Sequence, residues 1–360
     1  MKKTKINTIV CGSDFGEYYI KAIKKSEQNF KLLGLFANGS ERSKKISSKY
    51  NIPLYTDFRK LPSNIDLACV VIRSDSIGGK GTEISKKFLE NNINVIQEQP
   101  VHRKEFIECY KIACSKKIVY KVSNLYRYLD NIDNFIKSAN ILNKISNLEY
   151  VNLSFSTQVA YTALDIIAYS GVRGKIKIDE YVVQNKGPFD KLIGSIQDIP
   201  FTIEFNNRIN PFEPDGSMSV MHHFRYYYTT GVLTLEDTFG PVSWRPRIFT
   251  NKLIESDRNL DEMPYSILNE QLSGSIKQIF SHDWIKAIEK ALLDVKNEII
   301  NKENYSKSVQ YEVENIVNLE NFYKVTGPAI LINNKKSECV KLVDIKRLMR
   351  AGFKNEKSDK

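Results

Sequence analysis

The stretch VVIRSDSIGGKGTEISKKFLENNINVIQEQP at residues 70–100 constrains this chain more than any other. An apolar run ends at Arg73 and Ser74, and a turn with Gly78, Gly79 and Gly81 follows. Thr82 then opens a segment that puts Ile84, Phe88 and Leu89 on one helical face. A second apolar run, 93–96, stops at Gln97, Glu98 and Gln99 just before Pro100. Strands that are apolar almost throughout belong to a parallel sheet covered on both faces, and ligands bind beyond the carboxyl ends of such strands. Both strand ends of this unit therefore open on one crevice.

The same unit recurs upstream and downstream. Residues 6–11 read as a strand leading into Gly12, Ser13, Asp14, Phe15 and Gly16, followed by a helix with Tyr19, Ile20 and Ile23 on one face. Backbone amides at such a turn, with the positive end of the helix, suit a pyrophosphate. The dinucleotide fingerprint is incomplete, because Cys11 and Ser13 hold two of its three glycine positions, so a merely tight turn is the other reading. A second strand, 31–36, ends in Ala37-Asn38-Gly39-Ser40-Glu41-Arg42-Ser43. An acidic residue there would accept the ribose hydroxyls of NADH, whereas Ser40, Arg42 and Ser43 supply donors for a 2′-phosphate. NADPH is the expected cofactor, provided that Glu41 does not face the ribose. The plain structural reading makes Ser40 a helix cap and Arg42 a solvated residue of the first turn. A short strand at 51–55, a helix with Phe106, Ile107, Tyr110 and Cys114, and a strand at 118–122 complete a doubly wound α/β sheet, a Rossmann domain over residues 1–125.

Beyond residue 126 the pattern changes to helices near 132–141 and 160–169, then alternating strands at 176–183 and 201–205. Segments 217–228 and 232–238 flank a hairpin turn at Thr229-Thr230-Gly231. Trp284, Ile288, Leu292 and Val295 mark one amphipathic packing helix, and Val313, Ile316, Val317 and Phe322 another. A second, α+β domain with a mostly antiparallel sheet is expected over 126–335, with a basic extension at 336–360. Cys11, Cys69, Cys109, Cys114 and Cys339 are odd in number and lack ligand spacing, which argues against a disulfide framework or a zinc site. His222 and His223 point to opposite faces of a strand, so no metal is expected there. The net charge of +11 comes from scattered lysines without a nucleic-acid motif, and no apolar run is long enough for a membrane span. A cytoplasmic protein, bound neither to nucleic acid nor to a membrane, is the expectation.

Five segments, CGSDFG (11–16), GLFANGSERS (34–43), VVIRSDSIGGKGTE (70–83), VIQEQPVH (95–102) and GVLTLEDTFGPVSWRPR (231–247), together resemble the glucose-fructose oxidoreductase and inositol dehydrogenase superfamily, and within it the thiazolinyl imide reductases. The resemblance implies an NADPH-dependent oxidoreductase that reduces a thiazoline C=N bond to a thiazolidine during siderophore assembly. Its substrate would be tethered to a carrier domain of a nonribosomal peptide synthetase, and the open sheet would form a homodimer. Carrier domains are usually acidic, so the basic charge suits electrostatic steering. Members of the superfamily mostly have Glu-Lys-Pro where this chain has Glu98-Gln99-Pro100, and the imide reductases have histidine at the middle position. Gln99 cannot exchange a proton near neutrality, so the proton must come from elsewhere.

Tyr126 matches the tyrosine position of the reductases and is the first candidate for general acid, with Tyr128 the alternative. His102 either donates a proton or caps the helix starting near Arg103. Asp165 lies where superfamily members keep an active-site acid, with Tyr161 one turn earlier; a hydrogen bond to a neighbouring helix is its plain reading. The expected cofactor contacts are Gly12, Ser13, Phe15, Gly16, Ser40, Arg42, Ser43, Arg73, Ser74, Glu98 and Gln99. Two rival classes remain: another superfamily reductase or dehydrogenase acting on a sugar or ketone, and a nucleotide sensor that binds NADPH without consuming it.

Overall fold

A computed structural model describes residues 5–72, 79–184, 186–216, 218–248, 263–269, 274–333 and 340–358. Six strands, β1 (Ile6–Cys11), β2 (Phe30–Phe36), β3 (Leu54–Tyr55), β4 (Leu67–Val70), β5 (Asn94–Glu98) and β6 (Tyr120–Ser123), form one sheet in the order β3-β2-β1-β4-β5-β6. Every pairing in it is parallel. Helices α1 (Gly16–Lys25), α2 (Glu41–Tyr50), α3 (Lys80–Glu90) and α4 (Arg103–Lys116) are its crossovers. All four residues of β4 are buried, as the apolar run requires of a strand covered on both faces. The strand order reverses between β1 and β4, so a crevice opens above their carboxyl ends.

The second part contains α5 (Asp130–Ile145), β7 (Leu148–Ser156), α6 (Ala160–Tyr169), β8 (Ile176–Val182), β9 (Asp190–Ile196), β10 (Ile199–Asn206), β11 (Arg208–Ile209), β12 (His222–Tyr228), β13 (Gly231–Leu235), β14 (Val242–Pro246) and β15 (Ser266–Ile267). Its eight-stranded sheet runs β15-β14-β13-β12-β7-β10-β9-β8 and is antiparallel except where β7 meets β10. One face is apolar: Phe201, Ile203 and Phe205 of β10, and Phe224, Tyr226 and Tyr228 of β12, are buried toward the helices. The sequence reading passed from helix to helix over β7, yet this strand is central to the sheet. Its alternating Val151, Leu153 and Phe155 are fully buried. β12 starts at His222, five residues later than the alternation suggested.

Helices α7 (Trp284–Ile300) and α8 (Lys302–Thr326), then β16 (Ile330–Leu331) and α9 (Leu342–Ser358), finish the chain. α7 packs on α1 and on the 126–128 turn, and α8 on α6, α4, β6 and β8, so these two helices bridge both sheets. Ile288, Leu292 and Val295 are buried as expected, as are Ile316 and Phe322, but Val313 faces solvent. The α8 face toward the core carries Glu312 instead, held by the β6 lysine and a β6 amide. Among the described residues, no helix is long and apolar enough to cross a membrane.

Candidate active site at the carboxyl edge of the parallel sheet

The turn from β1 into α1 is built for close approach of something to the backbone. Gly12 has φ +102°, and a Cβ on it would lie 2.2 Å from the Val71 carbonyl oxygen, so only glycine fits. Its N–H donates to the Phe36 carbonyl at 2.9 Å, tying the turn to the end of β2. Gly16 is buried where α1 crosses the sheet, with Val10 Cγ1 3.2 Å from where its Cβ would sit. Between them lie Ser13, Asp14 and Phe15. Phe15 is the N-cap residue of α1, and no side chain caps that helix, whereas Ser40 caps α2 and His102 caps α4. An uncapped amino end at the carboxyl edge of a parallel sheet attracts an anion. The Phe15 ring is pinned by Tyr18 at 5.2 Å and by Trp284 of α7 at 5.4 Å, so the second part of the chain steadies this turn.

Ser40 accepts from the Ser43 N–H at 3.4 Å, and the Ser43 hydroxyl donates back to the Ser40 carbonyl at 2.7 Å. Ser40 is therefore a helix cap, as the plain reading had it, and Ser43 is buried. Glu41 turns to Lys44 at 2.8 Å. Arg42 is exposed and pairs with Asp14, which holds its guanidinium beside the β1–α1 turn. Arg73 and Ser74 lie outside the described residues.

At the end of β5 three consecutive polar residues do different work. Gln97 is fully buried, accepting from the Tyr120 hydroxyl at 2.9 Å and donating to Thr82 Oγ1 at 3.0 Å. Thr82 in turn donates to Glu105, which also accepts from the Gly79 N–H, so this residue fixes the start of α3. Glu98 accepts a hydrogen bond from the Tyr19 hydroxyl at 2.8 Å. With its one proton so used, Tyr19 accepts from Ser123 Oγ at 2.6 Å. Burial pushes the Glu98 carboxyl up to about 7, against the pull of the Tyr19 O–H and the Gln99 N–H. Gln99 precedes a cis Pro100, and its Oε1 is buried without a partner.

Tyr126 follows β6 by three residues, its ring 5.5 Å from that of His222. Burial, then the charges of Glu98 and Asp215, hold the Tyr126 phenol well above its ordinary value, so it keeps its proton at neutral pH. Tyr128 points elsewhere: it accepts from Arg127 at 2.7 Å and donates to Asp294 of α7 at 2.8 Å. Asp165 is buried behind the crevice, accepting from Asn124 Nδ2 at 2.8 Å with Arg127 3.5 Å away. The Asn124 Oδ1 accepts from the Tyr126 N–H at 3.0 Å, so Asp165 reaches the tyrosine only through the asparagine that sets its backbone. Tyr161, in the first turn of α6, is buried. His102 is exposed, and its Nδ1 accepts from the Lys104 N–H at 3.3 Å in the capping position. His222 is locked between Thr162 and Thr238, each at 2.8 Å, and burial pushes its imidazole down to about 3. His223 lies on the other face, and no cluster of metal-binding side chains occurs among the described residues.

The crevice thus gathers Gly12, Phe15, Glu98, Gln99 and Tyr126, with Arg42 at its outer end; His102 and Asp165 stand apart. Sequence reasoning took Tyr19 as core packing and passed over Ser123, Asn124 and Arg127. The uncapped helix end, the glycine that admits no Cβ and the flanking guanidinium fit the pyrophosphate and adenosine end of a dinucleotide.

Fold and crevice define a two-domain protein with a Rossmann-type nucleotide-binding domain. Residues 6–124 match the model of an oxidoreductase family with an NAD-binding Rossmann fold, and residues 146–245 match that of the thiazolinyl imine reductase Irp3-like C-terminal domain. Together these identify an NAD(P)-binding oxidoreductase of the GFO/IDH/MocA superfamily with an Irp3-like C-terminal domain. No curated protein matches the chain significantly. Similar solved structures include a dehydrogenase from Clostridium difficile (14% identity, TM-score 0.60, 87% of this chain and 99% of that one). Another is an inositol dehydrogenase homolog from Azotobacter vinelandii complexed with NADH and myo-inositol (12%, 0.63, 88% and 94%). A third is a 3-ketoreductase variant from Actinomadura kijaniata in complex with TDP-benzene and NADP (11%, 0.64, 91% and 100%). At such identities they bear on the fold alone.

Proposed function

We propose that the protein is an NADPH-dependent imine reductase that converts a thiazoline to a thiazolidine on a carrier-tethered siderophore intermediate, working in the cytoplasm as a homodimer. The observation that carries this reading is the match of residues 146–245 to the C-terminal domain of thiazolinyl imine reductases. Arg42 beside the β1–α1 turn supports the phosphorylated cofactor, because a guanidinium there can bind a 2′-phosphate once it leaves Asp14. The bound nicotinamide would supply a hydride. The chain's own share is to hold, orient and protonate. The amino end of α1 holds the pyrophosphate, Gly12 lets it approach, and Arg42 reaches the adenosine ribose from the start of α2, whose cap Ser40 and Ser43 form. Tyr126 keeps a proton on Oη for the substrate nitrogen, since Gln99 has none to give.

A second reading, reduction of a sugar or ketone, takes its substrate class from the myo-inositol and 3-ketoreductase structures that share the fold. The experiment offers NADPH with a thiazoline thioester, free or on a carrier domain, and in parallel with keto sugars. Expected are loss of nicotinamide absorbance and a product heavier by two hydrogens with the thiazoline alone, a fall of roughly 100-fold in turnover for Tyr126→Phe, and loss of NADPH preference in Arg42→Ala. Turnover of the sugar and not the thiazoline would replace this reading with the second. NADPH binding without turnover of either would point to a sensor.

A further inference from the structure

We propose that Glu98 is the proton reservoir of the crevice: it acts through Tyr126, restoring the phenol proton that each reduction consumes. The inference rests on the reductase reading above but names a group that reading leaves idle. Glu98 ends β5 and is paired across the ladder with Ser123 of β6, and Tyr126 lies one turn beyond Ser123. The carboxyl and the phenol thus come from adjacent strand ends, and the charge of the first acts on the second.

The partners of the carboxyl decide its role. It accepts from the Tyr19 hydroxyl and from the Gln99 N–H, both neutral donors, and no cation meets it among the described residues. The titratable groups that neighbouring elements bring to this end of the sheet, Tyr19 of α1, Cys69 of β4 and Tyr126, are themselves raised by burial and stay neutral. A desolvated carboxyl in neutral company takes and releases a proton near neutrality. Of the other candidates, Gln99 does not titrate, His102 caps α4, His222 is clamped between two threonines, Asp165 faces Asn124 and Arg127, and Asp215, whose charge also acts on Tyr126, is exposed rather than sheltered in the crevice.

The balance is simple. The Tyr126 O–H bond breaks as the substrate nitrogen gains its N–H bond, while hydride from the reduced nicotinamide goes to carbon. The Glu98 carboxyl then gives its proton to the phenolate, and solvent reprotonates the carboxylate once the product has left. One hydride and one proton are consumed per double bond. Tyr19, donating to Oε2, orients the carboxyl, and Ser123 orients Tyr19.

The test begins without cofactor or substrate. Protein isotope-labelled at glutamate Cδ and tyrosine Cζ is titrated by NMR, with Glu98→Gln and Tyr126→Phe supplying the assignments. The Glu98 signal is expected to titrate with a midpoint of about 7, and the Tyr126 Cζ shift to follow the same midpoint in wild type and to lose that step in Glu98→Gln. Tyr19→Phe, which removes a donor to the ionised form, should raise the midpoint. A Glu98 midpoint in the ordinary carboxylate range, or a Tyr126 step that survives Glu98→Gln, overturns the proposal. In turnover, Glu98→Gln is expected to lose roughly 100-fold together with the neutral limb of the pH profile; a profile unchanged in shape also overturns it. Should wild type ignore the thiazoline while the linked titration stands, the substrate reading falls and the Glu98–Tyr126 couple remains.

Discussion

Two sets of carboxylates meet neighbouring strands of the parallel sheet, half-buried Glu98 at the end of β5 and a buried pair from α7 and α8 against β6, and they are equipped in opposite ways. Glu98, at the crevice end of β5, has hydroxyl and amide donors only. At the junction between the two parts of the chain, Glu298 of α7 and Glu312 of α8 share the ammonium group of Lys121 from β6, itself 4% exposed, and Glu312 also accepts from the Val122 N–H at 3.1 Å. Burial raises Glu312 to about 8 despite Lys121 and the amide. Burial alone would lower Lys121, but Glu312 and Glu298 more than offset it and keep it charged. The junction carboxylates share one cation across three elements and so hold them together, Glu312 being raised by burial even there, whereas Glu98 meets neutral donors only. The same physical cost of desolvation thus serves assembly in one place and chemistry in the other.

The sharpest way to break this contrast is to remove the junction cation. Lys121→Met leaves two buried carboxylates without their counter-charge where α7 and α8 meet β6, and a destabilisation of about 3–5 kcal/mol is expected. Urea unfolding followed by far-UV circular dichroism measures it. A loss under 1 kcal/mol (about the worth of an exposed pair) would mean that the junction charges are not holding the helices to the sheet.

The crevice carboxylate is tested by pH instead. The Glu98 carboxyl titrates higher folded than unfolded, so the folded chain binds its proton more tightly. The resulting stability is fully present below the unfolded carboxylate range and is lost as pH rises toward about 7, at a slope of up to about 1.4 kcal/mol per pH unit. Glu98→Gln, which cannot ionise, is therefore expected to match wild type at low pH and to be more stable than it above neutrality, by about 2–3 kcal/mol. Unfolding free energies at a series of pH values check the sign. A variant less stable than wild type at alkaline pH would show that the folded chain holds Glu98 as an ion.

How far this contrast could be read from sequence depends on which contacts are local. The apolar runs that became β4 and β5, the Gly12 turn and the alternation of β10 are local patterns, and the doubly wound sheet with its antiparallel companion follows from them. Ser40 and His102 each admitted a chemical and a capping role, and the cap hydrogen bonds are found at both. Glu98 was legible only as a polar residue at a strand end. Its protonation behaviour depends on Tyr19, 79 positions earlier, and on burial that appears only once α1 has packed. Lys121 looked like one more lysine in a lysine-rich chain; its partners are 177 and 190 or so positions away on helices that sequence reasoning assigned to packing. β7 was passed over although its alternation is clear, because two flanking helices drew the reading past it.

The smallest expected effect comes from giving the crevice what the junction already has. Gln99 follows Glu98, its Oε1 is buried without a partner, and no cation meets the Glu98 carboxyl among the described residues. Gln99→Lys would bring an ammonium group to that end of β5. An opposite charge within reach favours the ionised carboxylate, so the Glu98 midpoint should fall by about one pH unit, equivalent to about 1.4 kcal/mol. The lysine can also carry a proton itself, which separates two accounts of Gln99. If its only consequence is to leave Glu98 without a cation, the NMR midpoint drops and the pH profile of turnover shifts to lower pH with it. If the crevice has adapted to a neutral side chain at 99 by other means, the midpoint stays where it was. In that event the contrast between the two carboxylate sites owes more to burial than to the missing cation.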